Sequence, residues 1–331
     1  MCCCNKTKGS VIALQSGIRL AVAQALLTRH ADQYLGTGGN VPQLSFLNAS
    51  PILLRRWLGI SLNNLRRNAR VAQATAADRL DVRRQTIGHY ESGRNLPSVG
   101  DLEALLDLYQ ARDQVDFHRA LRDGARRGDN WWHKIATNIP SWFNDYLALE
   151  SGAETVDAFA TTLVPGLQQT EEYATAVIHA DADYTADERE RMVQLRGSRR
   201  HILNGEPPVR LRSVVDESVL YRKQGDDTVM REQLRSLLDD LDHPQIELRV
   251  LPLDVGAFSG MLDYPFQLLT FPQEMVGDHG VAYIELLGDA RYYEEAGEVE
   301  RYQQAITDLL EKAADLEGSR TLIERAAKEI S

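Results

Sequence analysis

Hydrophobic residues follow two rhythms along this chain. Leu54, Leu58, Leu62, Leu65 and Ala69 recur at spacings of four and three, which places them on one face of a helix. A shorter helical pattern covers residues 73–80, followed by the tight link Asp81-Val82-Arg83 and another short helix over 84–90, with Ile87 and Tyr90 one turn apart. Glu91-Ser92-Gly93-Arg94-Asn95 reads as a turn, because Gly93 can take positive φ and stop a helix. Ser98 and Asp101 have capping-box spacing ahead of Leu102, Leu105, Leu106 and Tyr109. These short helices, joined by loops of a few residues, predict a compact bundle over residues 51–115.

A stretch rich in Arg, Asp and Gly, strongest over 122–130, predicts a linker at 116–130. Trp131, Trp132, Trp142, Phe143 and Tyr146 then crowd together. Aromatic clusters can stack single-stranded bases, but the surroundings are not basic, so a core seam or inter-domain contact is expected. Residues 163–173 end a strand-like stretch and start a helix near Thr170, an N-cap with Glu171 and Glu172 behind it. Residues 209–215, 246–253, 265–271 and 281–287 read as strands. Residues 228–241 form a helix with Leu234, Leu237, Leu238 and Leu241 along one face, and 298–314 and 320–330 are helical. The fold class expected is mainly α, with an α+β domain at 131–331 built on a mixed or antiparallel sheet.

Composition sharpens this division. A length of 331 residues suits two domains. Residues 52–127 hold 14 Arg and no Lys against 9 Asp and Glu, whereas residues 128–331 hold 19 basic against 38 acidic residues. The basic module suits nucleic acid, and the acidic body cannot itself bind phosphates. The three cysteines, Cys2, Cys3 and Cys4, are adjacent and have no second ligand pair, so neither a metal site nor a disulfide framework is expected, and a cytoplasmic setting follows. Residues 11–27 are broken by Gln15, Arg19 and Gln24, too polar for a transmembrane span and unlike a signal peptide. Residues 1–50 are expected to be a disordered extension or an early-called start, with a possible amphipathic helix over 16–35.

Catalysis is not expected. There is no phosphate-binding glycine loop, nucleophile elbow or metal-ligand spacing. Neighbouring carboxylates such as Asp216 and Glu217, or Glu294 and Glu295, would point to opposite faces of a strand. His201, His243 and His279 are isolated in sequence. No cofactor is implied.

The run from Arg70 to Arg94 resembles the XRE (Cro/repressor) helix-turn-helix family, through Gln73, Ala77, Val82, Thr86-Ile87, Glu91-Ser92-Gly93 and Pro97 in gapless register. The resemblance implies a five-helix, lambda-repressor-like bundle whose third helix enters the major groove of double-stranded DNA. It places Arg84, Gln85 and His89 as base readers, where Arg suits guanine and Gln adenine. Gln73, Arg79, Arg83 and Arg94 become backbone contacts, and Arg66 with Glu91 a structural ion pair. It also implies a homodimer on two half-sites. There are departures. Ala72 and Arg83 stand where the family carries capping Ser or Thr, each costing about 1 kcal/mol; Asp81 replaces a turn glycine; and Gly88 interrupts the reading helix. Further on, residues 142–150, 163–173, 215–220, 230–234, 250–253 and 265–271 resemble the C-terminal DUF5753 domain of actinobacterial XRE-type regulators. That likeness implies a transcriptional regulator whose C-terminal domain binds a small protein encoded nearby. The alternatives are a small-molecule effector or an antitoxin-like pair.

Overall fold

The computed structural model describes residues 50–126, 130–136, 139–180, 184–257 and 265–330. The expectations for residues 1–49 lie outside the described residues. The chain divides into two units between residues 128 and 129.

The first unit begins where Ser50 accepts a hydrogen bond from the Leu53 amide and Pro51 occupies the first helical turn, starting α1 (Pro51–Asn68). Leu54, Leu58 and Leu62 are buried, as the spacing predicts, while Leu65 and Ala69 sit at the margin. The next helices are α2 (Gln73–Leu80), α3 (Arg84–Glu91) and α4 (Val99–Leu108). Ser98 and Asp101 form the expected capping box, and Gly93 takes φ +69°. The fifth helix, α5 (Val115–Ala125), runs through the stretch expected as a linker. Its arginines and aspartates gave it the look of a connector, but His118, Leu121 and Ala125 are buried on one side, and the helix packs along α1. The linker expected at 116–130 therefore cannot begin before Arg126.

The second unit is α+β. Its elements are α6 (Ser141–Glu150), β1 (Thr155–Ala160), α7 (Glu171–His179), α8 (Ala186–Arg199), β2 (Arg210–Asp216), α9 (Ser218–Tyr221), α10 (Asp227–Asp240), β3 (Ile246–Leu251), β4 (Phe266–Thr270), β5 (Val281–Leu286), β6 (Asp289–Tyr293), α11 (Ala296–Lys312) and α12 (Leu316–Glu329). The six strands order as β3-β2-β1-β4-β5-β6. The β1–β2 and β2–β3 pairs are parallel and the other three antiparallel, so the sheet is mixed. α11 covers one face, closing a core of Phe159, Val214, Leu268, Ile284 and Leu309. Trp132, Phe143 and Tyr146 are buried within this unit, in keeping with the core-seam reading of the aromatic cluster. Thr170 caps α7 by accepting from the Tyr173 amide.

Candidate nucleic-acid interface

Two short helices and a three-residue link build the surface. The link turns because Asp81 adopts the left-handed conformation, φ 54° and ψ 45°. An aspartate tolerates this region better than most side chains, though less well than glycine. Ala72 and Arg83 occupy the N-cap positions of α2 and α3 without a side-chain cap bond. The leading amides of both helices thus lack a protein side-chain cap, and the first turn of a helix favours anions.

Ile87 and Tyr90 anchor α3 inward, with Ile87 fully buried. Arg84 and Gln85 are exposed and His89 is half-buried. A hydrogen-bonded relay runs beneath them. Arg66 on α1 holds both oxygens of Glu91, Nε to Oε1 at 2.5 Å and Nη2 to Oε2 at 2.9 Å, and donates through Nη1 to the Val71 carbonyl at 2.9 Å. The bond to Glu91 keeps the Arg66 guanidinium above its ordinary pKa despite burial. Gln73 Nε2 donates to Glu91 Oε2 at 2.9 Å, and Arg84 Nε donates to Gln73 Oε1 at 3.3 Å. Carboxylates only accept and guanidinium only donates, so this amide orientation satisfies both neighbours. Glu91 therefore ties α1 to α3 and, through Gln73, orients Arg84.

The other candidate residues fall into three places. Arg94 Nη1 donates to His89 Nε2 at 3.3 Å, joining those two at the far end of α3. Arg83 is exposed. Arg79 is drawn toward α4 by Asp107 at 3.8 Å, apart from the Arg84 relay.

One contributor escaped the sequence reading. Gly59 on α1 is buried against the end of α3: a Cβ there would stand 2.7 Å from the Glu91 carbonyl oxygen and 2.8 Å from the Gly93 amide. A glycine inside an otherwise regular helical pattern carries no signal of what crosses over it, and only the packed bundle reveals the contact.

Residues 57–120 match the family model of a helix-turn-helix domain, and residues 143–325 match the domain of unknown function DUF5753. The second match spans more than half of the chain. The chain belongs to the DUF5753 family. Its helix-turn-helix domain makes it a DNA-binding regulator. No curated protein and no solved structure is similar enough to carry a comparison. Among the described residues no helix is long and apolar enough to cross a membrane.

Proposed function

We propose that this protein is a sequence-specific transcriptional regulator of the XRE type. Arg84, Gln85 and His89 meet base edges in the major groove, and Gln73, Arg79, Arg83 and Arg94 meet phosphates. The supporting observation is the relay from Arg66 through Glu91 and Gln73 to Arg84: it orders an exposed arginine before DNA arrives, which lowers the entropy lost on binding. One recognition helix spans few base pairs, so the working form is a homodimer on half-sites about 34 Å apart. The protein acts by binding rather than catalysis, in the cytoplasm, and takes no cofactor.

The test is the double variant Arg84→Ala, Gln85→Ala. Each well-made base contact discriminates by about 1–3 kcal/mol, so sequence preference collapses while weak, salt-sensitive binding to any duplex persists. Unchanged preference in a binding-site selection removes both residues from the interface.

The C-terminal domain is proposed as the effector domain. The family likeness supports a small partner protein encoded nearby, which copurification from a co-expression strain would retain at fixed stoichiometry. A second reading, a small-molecule effector, has its own observation: the domain contains a cavity of about 420 Å³, within the range of about 300–1,000 Å³ typical of ligand sites.

A further inference from the structure

The cavity lies between α6, α8 and the sheet, with Phe143, Tyr146, Phe159, Phe266 and Tyr283 on its walls. The residues of its polar end fall into two sets. Arg199 is committed: it grips both oxygens of buried Glu150 at 2.8 and 2.6 Å, donates to the Tyr146 hydroxyl at 3.2 Å, and lies over the Phe143 and Tyr146 rings. The Tyr146 hydroxyl is itself engaged with Glu150 and Gln267. This set is electrically closed.

Arg196, one turn earlier on α8, is not. It lines the same cavity and has no carboxylate within ion-pair distance among the described residues. Its Nη1 donates to Gln169 Oε1 at 2.9 Å, and Gln169 in turn donates to the Val164 carbonyl at 2.7 Å. One arm of the guanidinium fork is thereby fixed. Arg196 is half-buried; burial first, and then the charge of Arg199, press its pKa down, against the smaller pulls of Glu285 at the exposed rim, Tyr146 and Glu150. The wall beside it is preformed. Gln168 donates to Asp240 at 3.0 Å, Gln233 donates to the Gln168 carbonyl at 2.8 Å, and the Thr170 amide donates to Gln233 at 2.8 Å, pinning the loop that carries Gln169. Gly166 on that loop packs so closely that a Cβ would stand 3.2 Å from Arg199 Nη1 and 3.5 Å from Arg196 Nη1.

Arg196 forms no ion pair among the described residues, so its half-buried guanidinium keeps donors to offer an anion entering the cavity. A fixed fork beside aromatic walls matches a planar anion attached to an apolar body. We propose that this cavity binds a small monocarboxylate with an apolar or aromatic body, its carboxylate on Arg196 and its body against Phe143, Phe159 and Phe266. The charge count selects the class. Among the described residues Arg196 is the one lining cation without an ion pair, and Glu285 at the rim offsets part of its charge, so at most one negative charge is matched and a phosphate dianion is over-charged for the site. Binding rests on the cavity alone, whereas any effect on operator affinity rests on the regulator reading above.

Calorimetric titration of the full chain tests this with phenylacetate, indole-3-acetate and octanoate, with phenylacetamide and phenyl phosphate as controls. At least one carboxylate is expected to bind and raise Tm. The neutral amide and the Arg196→Gln variant should each bind at least about tenfold more weakly, the loss of a charge-assisted contact. Arg196→Gln itself should melt close to wild type, since no ion pair is broken. Failure of all three carboxylates near 1 mM (about −4 kcal/mol), equal binding of the amide, tighter binding of phenyl phosphate, or undiminished binding by Arg196→Gln would each overturn the proposal. The amide comparison uses wild-type protein and decides the matter even if the variant misfolds. Carboxylate binding that leaves operator affinity unchanged would keep the site and remove its coupling to DNA.

Discussion

Glu91 carries two duties at the residue scale. Its side chain is 6% exposed and that of Arg66 11%, so removing the carboxylate strands a partly buried guanidinium. Glu91→Ala should therefore lower stability by on the order of 3 kcal/mol, read as a shift in the denaturant midpoint. A variant that melts like wild type yet loses DNA affinity would assign Glu91 to the interface alone. Gly88 offers the opposite case. A Cβ there meets nothing within 4 Å, so Gly88→Ala should stabilise α3 by about 0.5–1 kcal/mol; a lower midpoint would show that the position needs glycine. The Arg66–Glu91 pair could be anticipated through family likeness. The link from Glu91 to Gln73 could not, because nothing in the spacing of residues 73 and 91 brings them within 2.9 Å.

Whole elements were legible where an apolar face stood against a polar one, and lost where a charge interrupted the face. β1 shows in the sequence only as an unbounded strand-like stretch before residue 163, because Asp157 sits within the buried strand; it is accommodated by Arg212, its register partner on β2, which donates to Oδ2 at 2.8 Å. Burial pushes the Asp157 carboxyl up while Arg212 pulls it down. α8 was missed for a related reason: it is so rich in charge that only Val193, Leu195 and Arg199 are buried. α5 reads as a connector because its arginines and aspartates mask a buried face that includes a histidine. That histidine has a consequence. His118 Nδ1 donates to the Gln114 carbonyl at 2.9 Å, which leaves Nε2 to accept from the Ser61 hydroxyl at 2.8 Å, so the ring is neutral. Burial lowers its pKa from 6.5 to about 4, against the smaller pulls of the Gln114 bond and Asp113. Below pH 6.5 the unfolded chain takes the proton first. Stability present above that pH is lost on acidification, reaching about 3 kcal/mol by pH 4. Hydrogen-exchange protection factors of α1 and α5 amides, taken against the intrinsic exchange rate at each pH, should fall on acidification through this window in wild type, and the histidine's share of that fall should vanish in His118→Phe. An identical pH profile in the two proteins would place the acid sensitivity elsewhere.

At the scale of the molecule, the net charge of −11 hides opposed parts. Residues 52–127 are basic through arginine alone, and residues 128–331 carry twice as many acidic as basic side chains. Affinity for DNA must then come from a small set of cations rather than from the chain's overall field, and that set can be counted. Arg79, Arg83 and Arg94 are exposed on the reading head, with Arg79 held only loosely by Asp107 at 3.8 Å, an exposed pair of little strength. Each phosphate neutralised contributes about −0.9 to the slope of log K against log salt on duplex DNA. Three contacts on one head give a slope near −3 and six on two heads near −5. Fluorescence anisotropy of the full chain on a single half-site and on a two-half-site operator, across a salt series, separates the two arrangements. A homodimer on its operator should show the steeper slope, and Arg83→Ala should flatten it by about 2, one contact per protomer. A slope near −3 on both duplexes would mean that one head works alone, and the proposed pairing of half-sites would fail with it.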